Sequence, residues 1–303
     1  MVLLLGSLQL GLIYGLLAMG LYLSFRILNI PDLTAEGSFT FGLAVSAVCT
    51  MNGHPILGIF LAIAAGLFAG YLTGLLQTKC GIHPILAGIL TMSALYTVNL
   101  FVMGASSNLS LIGSNDVFKM VAEALGVDTN LSKSLVTFLF AFVSSWLMII
   151  FFKTRLGLSV RATGDNEDMV RASSINVDVQ KIIALAISNG LIGLSGGILA
   201  QYQGFADINS GAGILVVGLA SVIIGEVICG KRGIAIGIIS SIVGSILYRY
   251  VIAIATKTDL FPAYALKLVS AIIVAIALSL PEIKRQIELF KIKKEAAKIA
   301  RNS

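Results

Sequence analysis

Apolar residues run along the chain in long blocks separated by short polar intervals. Blocks near residues 2–25, 35–51, 55–77, 84–104, 132–152, 180–203, 212–229, 233–255 and 264–280 each approach the roughly 20 residues that carry an α-helix across a bilayer core. The pattern predicts an all-α, polytopic membrane protein with about nine transmembrane helices. The second block is the weakest, because it opens on the polar run NIPDLTAEGS. The first begins at the initiator with no basic stretch before it and no small-residue cleavage site after it, so it is expected to be retained as a span.

Composition agrees. The 303 residues are 57% hydrophobic and only 12% charged, with a mean hydropathy of +0.96, against about 45–50% apolar content in ordinary soluble domains. Charge then sets orientation, since Lys and Arg stay on the cytoplasmic side of inserted spans. With the N-terminus outside and the C-terminus cytoplasmic, the inner intervals hold Arg26, Lys79, Lys153, Arg155, Arg161, Arg171, Lys181, Lys231, Arg232 and the cations from Lys284 to Arg301; the outer ones hold only Lys119, Lys133, Lys257 and Lys267. The net charge of +6 is therefore a topology signal, and no nucleic-acid partner is implied. The tail at 282–303 spaces Ile283, Ile287 and Phe290 helically among cations, which suits either a solvated anchor or a helix lying on anionic membrane lipids.

Little in the chain points to catalysis. Cys49, Cys80 and Cys229 stand singly, and His54 and His83 each precede a proline at the start of an apolar block, so no metal or other cofactor is implied. The stretch GEVICGKR from Gly225 approaches a phosphate-binding loop, but Arg232 stands where the hydroxyl residue is needed and the context is a membrane span.

The blocks also repeat. YGLLAMGLYLS from Tyr14 can be laid on NGLIGLSGGILA from Asn189 at a shift of 175, GLAVSAV from Gly42 on GLASVII from Gly218 at 176, and HPILAGIL around Pro84 on FPAYALKL around Pro262 at 178. The repeat step spans an odd number of crossings, so the second copy is expected to be inverted. This divides a single transmembrane domain at 1–281 into repeat 1 (about 2–104), a linking span (about 132–152), a cytoplasmic hairpin (153–181) and repeat 2 (about 180–281). Both copies interrupt their helices with polar residues: Asn29, Asp32, Thr34 and Glu36 around Pro31, and Gln201, Gln203, Asp207 and Asn209 among glycines, with Asp32 opposite Asp207. Lipid satisfies no freed backbone group, so such breaks line protein or water, and matched breaks point to a substrate path. Asn29, Asp32, Glu36, Asn189, Gln201 and Gln203 are the path candidates, while Asp207 and Asn209 also suit an interfacial loop. Asn99, Ser188, Glu226 and Arg249 are further polar residues within apolar blocks; Glu226 is expected to pair locally with Lys231, and Arg249 to snorkel.

One interval breaks the apolar habit: TRLGLSVRATGDNEDMVRASSINVD, Thr154 to Asp178. Leu156 and Val160 fall on one face of a first short helix and Gly164 breaks it. Asp165 or Asn166 caps a second, whose N-terminal dipole Glu167 and Asp168 complement. A hairpin of this kind offers a docking surface, although a solvated loop would also satisfy the charge rule.

The run LGLSVRATGDN, followed by SSINVD, resembles the L-G-x-x-x-R-A-x-G-x-N then G-I-N signature of permease subunits of ABC importers in the branched-chain amino acid and simple-sugar class. LSFRILNIPDLTAEGSF, HPILAGILTMSALYTVNL, LAQYQGFADINSG, GLASVIIGEV and GSILYR are similar to a bacterial subgroup linked to tryptophan or tyrosine uptake, so the resemblance covers nearly the whole chain. It implies a non-enzymatic subunit of the bacterial inner membrane that pairs as a permease homodimer, docks a cytoplasmic ABC ATPase and receives a small polar solute, such as an amino acid, from an extracytoplasmic solute-binding protein. It also implies that Leu156, Gly157, Arg161, Ala162, Gly164 and Asn166 form the ATPase-coupling element. Ser174 departs from the signature, which commonly has Gly there. The alternative is a stand-alone secondary transporter with inverted repeats, which would need no docking hairpin and would usually carry a titratable or sodium-binding cluster at midplane.

Overall fold

The computed structural model describes residues 2–230 and 233–257, together with Ala275 and Ser279. Helix α1 (Val2–Leu21) runs into a π-helical turn, Tyr22–Ile27, and is followed by α2 (Thr34–Met51), α3 (Pro55–Thr78) and α4 (Pro84–Val102). A strand β1 (Asn108–Ser110) and a short helix α5 (Val117–Leu125) precede α6 (Thr129–Lys153). Two short helices, α7 (Arg155–Asp165) and α8 (Glu167–Ala172), lead to α9 (Val177–Gln203), strand β2 (Phe205–Asp207), α10 (Ile214–Cys229) and α11 (Ile234–Lys257). The ninth expected span and the basic tail lie outside the described residues, apart from Ala275 and Ser279.

Among the described residues, six helical segments are long and apolar enough to cross a membrane: Leu4–Ile27, α3, α4, α6, α9 and α11. The expected spans at 35–51 and 212–229 form the helices α2 and α10, but neither is among the six. For α2 the reason is its surroundings. It is enclosed by α3, α4 and α9, and several of its hydroxyls are satisfied inside the protein: Thr34 shares a hydrogen bond with Thr73 at 2.7 Å, and Ser46 Oγ donates to the Gly197 carbonyl at 2.9 Å. A helix shielded from lipid in this way does not need an apolar surface. For α10 the reason is length, since its 16 residues span only about 24 Å.

Helix α9 is the centre of the packing, with α1, α2 and α3 around it. Its face is small and polar. Gly42 of α2 meets the backbone of Gly193, and Gly66 of α3 meets the carbonyl of Asn189, so closely that a Cβ at either glycine would collide with main chain. Small residues allow this approach, and dispersion then replaces the hydrophobic drive that lipid does not provide. Two serines tie α9 to α1: Ser188 Oγ donates to the Gly20 carbonyl and Ser195 Oγ to the Ile13 carbonyl, both at 2.7 Å. In α11, the guanidinium of Arg249 lies 3.7 Å from the centre of the Tyr14 ring.

The connection between α4 and α6 holds a strand and a capped helix. β1 pairs antiparallel with β2, Asn108 opposite Asp207 and Ser110 opposite Phe205. Asp116 caps α5 by accepting the Lys119 N–H at 2.8 Å, and Gly126 ends it at φ 62°. Val117, Phe118 and Ala122 of α5 turn inward.

Candidate functional site

The hairpin forms as two capped helices. Thr154 Oγ1 accepts the Gly157 N–H at 3.2 Å to start α7, and Asn166 Oδ1 accepts the Met169 N–H at 3.0 Å to start α8. Glu167 and Asp168 occupy the first turn of α8, where they complement its dipole. Gly157, Val160 and Thr163 of α7 and Val170 of α8 are buried. Leu156, one turn before Val160 on the same face of α7, is nevertheless exposed, as are Leu158 and Met169. Helix α7 also runs through Gly164 to Asp165 instead of breaking there. The glycine has a different use, because it lets α7 lie directly against the Ile27 carbonyl and Leu28. Arg161 is exposed and makes a loose contact with Asp165, at 3.9 Å. Ser174 adopts φ +60°, the left-handed conformation that glycine takes without cost, which accounts for the glycine of the signature.

The segment after the π-helical turn joins this hairpin to the bundle. Asn29, in the left-handed region at φ +55°, donates from Nδ2 to the Gly164 carbonyl at 3.0 Å. Arg26, on the π-helical turn, pairs with Glu226 near the end of α10 at 2.5 Å. Lys231, the partner expected for Glu226, lies outside the described residues. A cavity of about 180 Å³ between these elements is lined by Arg26, Arg161, Asp165 and Glu226, among others.

The two polar breaks meet at a larger cavity of about 470 Å³. Glu36 and Thr40 of α2, Met92, Ser93, Tyr96 and Asn99 of α4, and Asn209 and Gly211 of the β2–α10 connection line it. Glu36 Oε1 accepts the Gly213 N–H at 3.0 Å, placing a carboxylate at the positive end of α10. Gly211 packs against the Glu36 carbonyl and the Thr40 hydroxyl. Met92, Tyr96 and Asn99 recur at helical spacing, which puts them on one face of α4; that spacing is the signal by which sequence could have grouped them.

Of the path candidates, Glu36 alone is among the residues lining this cavity. Asp32 and Asn189 meet each other instead. Asp32 is 0% exposed and accepts the Thr34 N–H at 2.9 Å and Asn189 Nδ2 at 2.6 Å, while the second Nδ2 hydrogen of Asn189 goes to the Leu185 carbonyl at 3.0 Å. Gln201, 2% exposed, joins three elements: Oε1 accepts the Val117 N–H of α5 at 3.0 Å, and Nε2 donates to Ser46 Oγ of α2 at 3.0 Å and to the Pro55 carbonyl of α3 at 2.9 Å. Gln203 bonds the nearby Phe205 carbonyl at 2.9 Å, and Asn29 faces the hairpin. Asp207 accepts the Asn209 N–H at 2.7 Å and so holds its own turn.

Residues 3–277 match the family described as branched-chain amino acid transport system, permease component. A tyrosine transport system permease protein of Clostridioides difficile is 37% identical over 265 residues, covering 87% of this chain and 86% of its own. A ribose import permease protein of Escherichia coli is 25% identical over 213 residues, 69% of this chain and 64% of its own. Among solved structures, a chain of PsaBC from Streptococcus pneumoniae, in complex with Fab, superposes with a TM-score of 0.51 at 14% identity over 91% of this chain and 89% of that one. This last likeness concerns the fold alone.

Proposed function

The chain belongs to the family of branched-chain amino acid transport system permease components, and from that premise we propose that it is the membrane-spanning subunit of an ABC importer for a small polar organic solute, such as an amino acid. The observation that carries the proposal is the seat of the hairpin. A capped pair of helices exposes Leu156, Leu158, Arg161 and Met169 and holds the segment after the π-helical turn through Gly164 and Asn29. A stand-alone secondary transporter would have no use for such a surface. In this reading Leu156, Gly157, Arg161, Ala162, Gly164 and Asn166 form the coupling element for a separate cytoplasmic ATPase.

A contact route then leads from the hairpin to the solute. Gly164 holds Ile27 to Asn29, Arg26 holds Glu226, and α10 carries that contact to Gly213, whose N–H is held by Glu36 at the cavity. Glu36 is the path residue in contact with solute, whereas Asp32, Asn189 and Gln201 hold the broken segments in place. The inverted repeat has its own support. A shift of 175 carries Ile13 to Ser188 and Gly20 to Ser195, so it exchanges the two serine hydrogen bonds between α1 and α9. Likewise α9 packs on α2 and α3 as α1 packs on α10 and α11. The hairpin is cytoplasmic, two copies of the permease surround a common path in the inner membrane, and a solute-binding protein delivers cargo from the opposite side.

The experiment combines purification with a block of the path. The chain should copurify with an ATP-hydrolysing subunit. In a background without Cys49, Cys80 and Cys229, a bulky thiol reagent on Ser93→Cys, at the cavity, should stop uptake. Uptake by the purified chain alone, driven by an ion gradient, would instead establish the secondary transporter.

A further inference from the structure

We propose that Glu36 and Asn99 form an acceptor pair that receives a protonated amine of the transported solute, so that the cargo carries an ammonium group on an apolar body. The inference rests on the larger cavity being the path, and it goes further by naming the chemistry that the cavity selects.

Three features converge. Asn99 is 1% exposed and donates from Nδ2 to the Gly37 carbonyl at 3.3 Å. Only the amide nitrogen can face that carbonyl, which fixes the amide orientation and leaves Oδ1 buried without a hydrogen-bond partner, on a residue that lines the cavity. Buried polar atoms are almost always satisfied, so an orphan on a cavity-lining residue calls for a donor that the chain does not supply. Gly37 directly follows Glu36, so the amide is anchored one residue from the carboxylate. Glu36 gives Oε1 to the Gly213 N–H, and Oε2 takes no hydrogen bond from a described residue.

The charges of the wall point the same way. Among the described residues, Glu36 is the charged residue that lines the cavity, with no Lys, Arg or His beside it. A carboxylate set against Glu36 would be desolvated with no cation to pair, whereas an ammonium in that position brings the missing charge. It also brings three N–H donors for two open acceptors and one further hydroxyl or water. Met92, Tyr96, Ile208 and Ala212 provide an apolar wall for the rest of the molecule, and a volume of about 470 Å³ is within the range of small-molecule sites.

The test uses the full-length permease with its ATPase in lipid nanodiscs and three probes that share one ring: phenethylamine, N-acetylphenethylamine and 3-phenylpropionate. Calorimetric titration, corrected with protein-free nanodiscs, should show binding of the amine and at least tenfold weaker binding of the other two. Glu36→Gln and Asn99→Leu should each weaken amine binding by about tenfold or more, as expected for loss of a charge-assisted or buried hydrogen bond. Equal binding of the three probes by the unaltered protein, tighter binding of the acid, or full amine affinity in Glu36→Gln would overturn the proposal. The thiol block at Ser93→Cys separates the two readings. If the block stops uptake while the amine shows no advantage, the path stands and the ammonium assignment fails; if uptake survives the block, the path itself is elsewhere.

Discussion

Replacing Gly164 with alanine adds one methyl group at the place where the hairpin meets the bundle, and the structure sets the size of the effect. The new Cβ would run into the Ile27 carbonyl oxygen and lie 2.9 Å from both the Ile27 carbonyl carbon and the Leu28 Cα. All three are main-chain atoms that no rotamer change can move, so α7 must shift away. Overpacking of this kind costs about 1–3 kcal/mol. The shift also lengthens the 3.0 Å hydrogen bond from Asn29 to the Gly164 carbonyl, whose net contribution is roughly 1 kcal/mol. Together these amount to about 2–4 kcal/mol in the coupling contact, or a 30- to 1,000-fold weakening of whatever equilibrium it controls. The caps at Thr154 and Asn166 are untouched, so the hairpin itself should still form. The assay is solute-stimulated ATP turnover in reconstituted vesicles at equal permease abundance, with thermal unfolding of the purified permease measured in parallel. Stimulation should fall by at least an order of magnitude, and Gly164→Leu should be worse. Wild-type stimulation in Gly164→Ala would refute the argument that force passes through this seat.

Three further outcomes follow from individual contacts. The Arg26–Glu226 pair has side chains 42% and 15% exposed, so after solvent screening it contributes at most about 1 kcal/mol of stability; Arg26→Ala and Glu226→Gln should leave the melting temperature nearly unchanged while lowering stimulated turnover, and the exchange Arg26→Glu with Glu226→Arg should restore part of it. Gln201→Leu strands the buried Val117 N–H at roughly 1–3 kcal/mol; limited proteolysis should therefore cut the 103–128 connection faster than in the wild type. At Ser174, φ +60° is strained for any residue with a Cβ, so Ser174→Gly should stabilise the chain by roughly 0.5–1 kcal/mol and Ser174→Val should destabilise it, as read from chemical denaturation in detergent.

Helix positions were legible in the sequence because the bilayer dictates them: eight of the nine apolar blocks coincide with helices among the described residues. The polar breaks were legible for the same reason, since lipid tolerates neither NIPDLTAEGS nor the Gly-rich run after Gln201. Which side chain faced the path was not. Asp32 and Asn189 look alike as candidates in a one-dimensional list, yet they lie 157 positions apart and satisfy each other. Gln201 was equally ambiguous, because the N–H it accepts belongs to a helix that its own segment does not announce. The π-helical turn had no readable cause in composition, and the resemblance to a family signature located the hairpin without showing what Gly164 touches. The part least visible in sequence is also the part that makes the proposed mechanism economical. α10 is about 24 Å long, with Glu226 held near one end and Gly213 at the other. A helix this short moves as a unit, so a displacement at Glu226 must reappear at Glu36 unless a contact along the route gives way. The contacts that can give way are one screened ion pair and one amide-to-carboxylate hydrogen bond, each weak enough to break within a transport cycle. Coupling of this kind needs no change inside any helix, only a change in which partners hold its ends.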